Sequence, residues 1–370
     1  MPQLKRKLIV VIGTRPEAIK LAPVVHAIEQ SEWANCELVL TGQHRDLVEP
    51  IIRHFGLTVT HDLRAMQPNQ SLAQVTARIL QGMDVLLAQS APDAVLGQGD
   101  TASVLATSMA CFFRNIPFAH VEAGLRTGNL RLPFPEEMNR VLTTRMAHWH
   151  FAPTELARDN LLHEEIDPAT IWVTGNTVID SLKLVLSQAR PNLPSRSERD
   201  FVLITAHRRE NLGNALENIC LAIAGLAQKH PELDFIFPVH PNPGVRQAVH
   251  KHLLNIDNVL LIEPCDYPVF CWLMKDSRLI LSDSGGVQEE APALGKPVLV
   301  LRDKTERPEA VAAGATRLVG TNPQVIIDAV QTLLTDDLTY QCMANAGSPY
   351  GDGHAAQRII ETLRQSLCQE

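Results

Sequence analysis

Residues Leu279 to Pro297 read LILSDSGGVQEEAPALGKP. Leu279, Ile280 and Leu281 form an apolar run of the kind a buried strand needs. Ser282, Asp283 and Ser284 end it, Gly285 and Gly286 follow, and a helical stretch begins behind them. A strand, a turn of small residues and a helix start together make an anion site. Backbone N–H groups point out of the first turn, the helix dipole adds positive potential, and glycine lets a phosphate come close. Glu290 sits one helical turn further in. A carboxylate there repels phosphate but accepts hydrogen bonds from a ribose diol lying beyond it. The stretch therefore fits a nucleoside diphosphate. An ordinary strand-turn-helix with an Asp/Ser cap fits it equally well.

Around this stretch, short apolar runs alternate with amphipathic ones. Leu8–Ile12, Glu37–Leu40, Ala94–Leu96, Phe118–Val121 and Ile171–Val173 read as strands. Pro16–Gln30, Arg45–Phe55, Ser71–Gln89, Ala102–Arg114, Glu136–Ala147 and Thr154–His163 read as helices. The alternation predicts parallel strands joined by crossover helices. Arg190–Asp200, with two prolines and mixed charge, reads as a boundary loop. The pattern then restarts with strands Phe201–Thr205, Phe235–Val239, Val259–Ile262, Arg278–Leu281 and Val298–Leu301, and ends on an amphipathic helix, Ala355–Leu367. The expected fold class is α/β, with two Rossmann-like, doubly wound domains facing a cleft. Ligands in such sheets bind beyond the C-terminal strand ends.

The chain has 370 residues, with 33 basic and 41 acidic side chains and a net charge of −8. That balance argues against nucleic acid as a partner, although a local basic pocket remains compatible with it. Cys36, Cys111, Cys220, Cys265, Cys271, Cys342 and Cys368 are scattered, with no CxxC and no Cys/His cluster. Neither a structural zinc nor a disulfide framework is expected. The apolar run after Lys7 is too short for a signal-peptide core. No run approaches the roughly 20 apolar residues of a membrane span. The expectation is a soluble cytoplasmic protein with no membrane partner.

Several connections carry chemistry-bearing residues. Gly13-Thr14-Arg15-Pro16-Glu17 follows the first strand and opens the first helix, placing Arg15 and Lys20 near one phosphate-binding end. It is not GxGxxG, so dinucleotide binding is poorly supported, and a capped helix with surface charges explains it too. Asp100 stands between Gly99 and a helix start, Glu122 ends a strand before a glycine turn, and Glu136 opens a helix behind two prolines. Three carboxylates on one cleft wall would raise one another's pKa and suit proton transfer; three separate caps are the alternative, and the first choice only for Asp100 taken alone. His207-Arg208-Arg209 follows the first strand of the second half and suits a phosphate or carboxylate. His240, between prolines, reads as structural, and His148 and His150 read as a helix-end pair with spacing poor for a metal. Arg307 lies in a charged run just past the nucleotide stretch, within reach of a pyrophosphate or simply solvated.

Taken together, GTRPEAIK from Gly13, TGQHR from Thr41, GQGDT from Gly97, HVEAGLRTG from His120, PFPEEMNR from Pro133, GNTVID from Gly175, HRREN from His207, the long segment from Asp283 and SPYGDG from Ser348 closely resemble the non-hydrolysing bacterial UDP-N-acetylglucosamine 2-epimerases. The segments span nearly the whole chain in the family's order. The resemblance implies a two-domain fold like that of GT-B glycosyltransferases, an active site between the domains, and a homodimer. It places the N-terminal domain at residues 1–174, a UDP-binding domain at 175–352, and a C-terminal helix at 353–370 packing back on the first domain.

The family's roles fall on matching positions. Arg15, Lys20, His207, Ser284, Gly285, Gly286, Glu290 and Arg307 would hold UDP, with Asp100 and Glu122 also at the substrate and Phe270 flanking the uracil. Asp100, Glu122 and Glu136 would carry the proton chemistry with His207, and Arg140 would orient them. Cys265 stands where family members often have glutamine, which puts a side-chain contact to uracil in question. Pro241 replaces a more usual leucine. In many bacterial members a second UDP-sugar activates through the TGQHR segment; Gln43 and His44 match it, while Asp46-Leu47 departs from the commoner Glu-Met. The implied reaction interconverts UDP-N-acetylglucosamine and UDP-N-acetylmannosamine at C2, by elimination of UDP and re-addition, as a precursor supply for bacterial surface polysaccharide. It calls for no metal and no cofactor. A retaining GT-B glycosyltransferase would share the fold without needing the three carboxylates. A hydrolysing epimerase would release free sugar. A non-catalytic regulator would have lost Asp100 or Glu122.

Overall fold

The computed structural model describes residues 5–195, 199–208 and 211–368. Leu8 to Ile12 is apolar at every position because the strand it forms is covered on both faces. That strand is β1 (Arg6–Ile12). It is followed by β2 (Ala34–Leu40), β3 (His61–Asp62), β4 (Ala94–Gln98), β5 (Phe118–Val121), β6 (Trp149–Ala152) and β7 (Ile171–Val173). They form a seven-stranded sheet in the order β3-β2-β1-β4-β5-β6-β7. Every pairing is parallel; Leu8 lies opposite Ala94, and Gln98 opposite Val121. The order reverses between β1 and β4, and this switch point opens a crevice at the C-terminal strand ends.

A second parallel sheet repeats the plan. Its strands are β8 (Phe201–Thr205), β9 (Asp234–Pro238), β10 (Val259–Ile262), β11 (Leu279–Ser282), β12 (Val298–Val300) and β13 (Thr316–Leu318), in the order β10-β9-β8-β11-β12-β13. Its switch point lies between β8 and β11, where Ser282 pairs with Thr205. The core on one side is built from Ile204, Leu281, Phe235 and Phe237 packed against Ile219, Ile223 and Leu226 of helix Asn214–Lys229. Each fully buried side chain of this size contributes about 1.5–3 kcal/mol.

Contacts divide the chain into two compact units, Met1–Ser181 with Tyr350–Glu370, and Leu182–Pro349. The last helix, Ala355–Cys368, packs on helix Arg15–Glu29. Asp180 caps it, accepting from Ala355 N at 3.2 Å and Ala356 N at 2.9 Å. These bonds answer the helix's need for acceptors at its first turn.

The helices expected before residue 164 are present, each within one residue at either end. Three strands were not legible. β3 is two polar residues, β13 is mixed in character, and β6 was hidden by its histidine. His150 is thus not part of a helix-end pair; it is a buried strand residue whose ring nitrogens lie 2.9 Å from Thr144 O and 3.2 Å from Thr170 O. Ser282 completes β11 instead of ending it, its hydroxyl 2.6 Å from that of Thr205. Within the boundary loop, Arg190 binds Asp276 at 2.6 Å, and residues 196–198 lie outside the described residues. Among the described residues no helix is long and apolar enough to cross a membrane.

Candidate active site

At the first switch point, β1 turns tightly over helix Ala102–Phe113. A Cβ on Gly13 would stand 2.1 Å from the Ser103 hydroxyl, so only glycine fits. Glu17 reaches back from the first helical turn, accepting from Gly13 N at 2.5 Å and Thr14 N at 3.2 Å. Burial pushes its carboxyl up to about 7, against the pull of the Thr101 hydroxyl and the two backbone donors. Arg15, half-buried, opens the helix beside this turn. The neighbouring loop is tied in: His44 N donates to Gly13 O at 3.0 Å, and the Ser103 hydroxyl donates to Gln43 Oε1 at 2.7 Å.

Glu122 follows β5 in a left-handed conformation, φ 64°. A non-glycine residue there costs about 1–3 kcal/mol and persists only where its surroundings hold it. Lys20 Nζ lies 2.8 and 2.7 Å from its two carboxylate oxygens, Gln98 donates to Oε2, and Asn176 Nδ2 approaches Oε1 at 3.5 Å. The Lys20–Glu122 pair is mostly buried, at 11% and 8% side-chain exposure.

Asp100, beyond the adjacent strand end, meets Arg140 Nη2 at 2.5 Å. Arg140 is buried and also meets Glu137 at 3.3 Å. Glu137 in turn accepts from Thr127 N at 2.9 Å and Gly128 N at 3.0 Å. Asn139 Nδ2 donates to Asp100 O at 2.8 Å. Glu136, half-buried, starts this helix. It stands one turn before Arg140 on the same face, a separation of about 6 Å. The sequence spacing pointed to carboxylates crowding one another. Asp100 and Glu122 each face a cation, because each sits at a strand end where a neighbouring helix brings one in. Beneath them His120 is buried, donating from Nε2 to Gly99 O at 2.7 Å; burial pushes its imidazole down to about 3, so it stays neutral.

At the second switch point Asp283 is the hub. It is fully buried and accepts from His207 N at 2.9 Å, Arg208 N at 2.8 Å and Asn211 Nδ2 at 2.9 Å, with His207 Nδ1 2.9 Å from its other oxygen. Burial pushes this carboxyl up, but the His207 ring and the backbone donors outweigh it, and the net direction is down. The His207 ring stacks on His240 with centroids 5.8 Å apart, so His240 is part of this wall. Arg209 and Glu210, the rest of that basic cluster, lie outside the described residues.

Ser284 stands at the N-terminal boundary of the short helix Gly285–Glu290, and its N–H donates to the Ser282 hydroxyl at 3.0 Å. Arg208 stands over the turn: a Cβ on Gly285 would lie 3.5 Å from its Nη2. Glu290, 5% exposed, accepts from the Tyr267 hydroxyl at 2.5 Å. Phe270 is half-buried on the same helix as Tyr267, Tyr267–Asp276, just after Cys265. Arg307 donates from Nε to buried Glu289 and from Nη1 to Glu306 O at 3.1 Å. The Thr305 hydroxyl accepts from Arg307 N at 3.0 Å and donates to Gln288 at 2.6 Å.

The first switch point thus gathers Arg15, Lys20, Asp100, Glu122, Arg140 and, along one helix face, Glu136. The second gathers His207, Ser284 to Gly286, Glu290 and Arg307, with Phe270 on a neighbouring helix. Asp283, Glu17, Gln98 and Tyr267 were not singled out from sequence. Asp283 and Gln98 lie inside quoted motifs, where a polar side chain at the end of a parallel strand is a usable signal. Tyr267 gave no signal, since an aromatic residue at a helix start reads as core. Among the described residues no group of three or more His, Cys, Asp or Glu side chains is placed to hold a metal ion.

The family model described as UDP-N-acetylglucosamine 2-epimerase matches residues 26–364. The UDP-N-acetylglucosamine 2-epimerase of Escherichia coli K12 is 48% identical over 97% of this chain and 99% of its own length. That of Yersinia pestis is 49% identical over 97% and 98%. The solved UDP-GlcNAc 2-epimerase of Neisseria meningitidis, bound to UDP-GlcNAc, matches with a TM-score of 0.89 and 47% identity, covering 97% of this chain and all of that one. By fold, by sequence along 97% of its length and by family model, the chain belongs to the UDP-N-acetylglucosamine 2-epimerase family.

Proposed function

We propose that the protein interconverts UDP-N-acetylglucosamine and UDP-N-acetylmannosamine without net hydrolysis. The observation that carries this reading is the pair of carboxylates, Asp100 and Glu122, on adjacent strand ends, each gripped by its own buried cation. A nucleotide-binding module or a simple transferase has no use for that arrangement.

The hydrogen on C2 of an N-acetylhexosamine is weakly acidic, so a free carbanion is not a workable intermediate. Anti-elimination avoids it: a base takes the C2 proton as the C1–O bond to UDP breaks, leaving 2-acetamidoglucal and UDP. UDP then adds back to C1 while an acid delivers a proton to the other face of C2. Two faces require more than one proton-transfer group, and Asp100, Glu122 and Glu136 supply them. Lys20 and Arg140 fix two of these carboxylates; the geometry supports Lys20 as the partner of Glu122 ahead of a phosphate ligand. Arg15, Arg307, His207 and the Ser284–Gly286 turn stabilise the charge that gathers on the departing UDP. Phe270 flanks the uracil and Glu290 accepts from the ribose. Gln43 and His44, tied to the Gly13 turn, are the place where a second UDP-sugar would act on the first.

The chain also works, in this reading, as a homodimer in a reducing cytoplasm. Phe112 and Phe113 are 59% and 65% exposed at one helix end, and none of the seven cysteines is held in a disulfide. Sedimentation equilibrium tests the first point.

Proton NMR of the protein with UDP-N-acetylglucosamine in D2O tests the function. The expected result is UDP-N-acetylmannosamine, with deuterium at C2 of both epimers and no accumulating free sugar. Free N-acetylmannosamine with UDP would mean a hydrolysing enzyme. Transfer to an added acceptor without epimerisation would mean a glycosyltransferase.

A further inference from the structure

Glu290 and Tyr267 lie far apart in sequence, yet Tyr267 donates its hydroxyl to Glu290 Oε1 at 2.5 Å. Tyr267 and Glu290 are nearly fully buried, at 4% and 5% exposure respectively. The other carboxylate oxygen, Oε2, lies on the side of the Ser284–Gly286 turn, 3.8 Å from where a Cβ on Gly286 would stand. The carboxylate is therefore oriented: one oxygen anchored on the aromatic helix, the other turned toward the nucleotide turn. Burial, together with the negative charge of Glu290, raises the Tyr267 hydroxyl well above its ordinary value, so it remains a donor at any working pH.

We infer that Tyr267 is a positioning residue that sets how Glu290 receives the ribose diol, and that this contact makes the site select ribonucleotides over 2′-deoxyribonucleotides. The inference rests on the reading of Glu290 as the ribose acceptor. A carboxylate takes two vicinal hydroxyls well only when its plane is set, and a single torsion of the Glu290 side chain would spoil that alignment. The Tyr267 hydroxyl removes that freedom. A buried carboxylate facing a 2′-deoxyribose loses one donor with no water to replace it, and such missing partners are what sites built to bind a hydroxyl reject most strongly. Helix Tyr267–Asp276 also carries Phe270, three residues on. One rigid element therefore sets the uracil side and, through Glu290, the sugar side of the nucleoside.

The ribose is remote from C2, so the contact is made equally in ground and transition states. Its loss should appear in KM and leave kcat alone. The test is Tyr267→Phe, which keeps the buried ring and removes only the hydroxyl, compared with Glu290→Ala. The probes are UDP and 2′-deoxy-UDP by calorimetry, and UDP-N-acetylglucosamine by steady-state kinetics. Tyr267→Phe is expected to weaken UDP by about tenfold, the usual effect of losing a hydrogen bond to a charged group. It should weaken 2′-deoxy-UDP less, so that the preference for ribose narrows, and raise KM with kcat unchanged. Unaltered UDP affinity and an unaltered ribose preference in Tyr267→Phe, with Glu290→Ala weakened, would overturn the inference and leave the ribose assignment standing. Unaltered UDP affinity in Glu290→Ala would sink the ribose assignment itself. A fall in kcat at constant KM would also overturn the positioning role. A thermal melt of each variant guards against misfolding, and Glu290→Gln provides a milder change at the same carboxylate: a narrowed ribose preference there supports the inference, an intact one counts against it.

Discussion

Glu17→Gln should stabilise the protein above neutral pH while leaving it nearly unchanged in mild acid. The wild-type carboxyl is wholly buried under the Gly13 turn, and burial lifts it from an ordinary 4.5 to about 7. Below pH 4.5 the folded and unfolded chains are both protonated at this site, so it adds nothing to the pH dependence. Between 4.5 and 7 the unfolded chain releases the proton and the folded chain keeps it, so the unfolded state binds fewer protons and stability falls as pH rises. The slope is about 1.4 kcal/mol per pH unit, and the total across that window is about 3 kcal/mol, reached near neutrality and constant above it. Glutamine has no proton to release in either state. Its carbonyl can still accept from Gly13 N and Thr14 N, so the helix cap survives. Urea denaturation of wild type and variant from pH 4.5 to 8.5 measures the difference directly. The gap should be near zero at the acid end and widen to as much as about 3 kcal/mol at the alkaline end. A gap that stays flat with pH would mean that Glu17 ionises in the fold as easily as in the unfolded chain, and the account of the turn as a dry carboxyl site would be wrong.

Glu122→Gln should bind UDP normally by calorimetry and lose about 10²–10⁴-fold in epimerisation, the usual contribution of a positioned acid or base; near-normal turnover would remove it from the catalytic set. Arg140→Met strips the cation from Asp100 and from buried Glu137. It should destabilise the protein by about 3–5 kcal/mol in chemical denaturation and slow turnover with UDP affinity intact; a variant with wild-type stability would show that the ion pairs carry no structural weight. Asp283→Asn replaces one acceptor oxygen with a donor among four donor groups. Because the folded carboxyl lies below its ordinary value, its stabilisation is present at neutral pH and lost as pH falls through the folded value. Wild type should therefore approach the variant's stability in strong acid, and parallel pH profiles for the two would refute this.

What was legible in sequence followed from periodicity. Runs such as Leu8–Ile12 and Leu279–Leu281 are apolar at every position because both faces of their strands are covered, and the intervening helices carry their own signature. β3, β6 and β13 escaped because edge and near-edge strands need no such run: β6 accommodates His150 by giving both ring nitrogens backbone carbonyls. At the site, glycine turns and strand-end acids were visible as motifs, whereas partnership was not. Nothing in the order of residues tells that Lys20 meets Glu122, 102 positions away, or that Tyr267 meets Glu290. The first pair is set by which strand ends lie side by side, since adjacency across β1, β4 and β5 is a property of the sheet order; the second is set by helix Tyr267–Asp276 packing beside the chain that leaves helix Gly285–Glu290. The acids were readable in the sequence, and the cations that face them were not.

The two carboxylates that matter most are held in different ways, and the difference matches their proposed work. Glu122 is fixed by an ammonium group across both of its oxygens, and its backbone is forced into the left-handed region at φ 64°. Strain of that kind survives only where several contacts over-determine it, and Lys20, Gln98 and Asn176 do so. A cation in this place compensates the carboxylate's charge and fixes its orientation, as the proposed proton transfer requires. Glu290 lies in a helix with ordinary geometry and is fixed by a neutral hydroxyl. A neutral donor orients a carboxylate without cancelling the charge that makes it a good acceptor for a diol. Exchanging the two kinds of support would harm both: a lysine beside Glu290 would compete with the proposed ribose contact, and a tyrosine beside Glu122 would leave a buried charge without its counter-ion. The partner of each acid, more than the acid itself, separates the group proposed to move protons from the group proposed to bind.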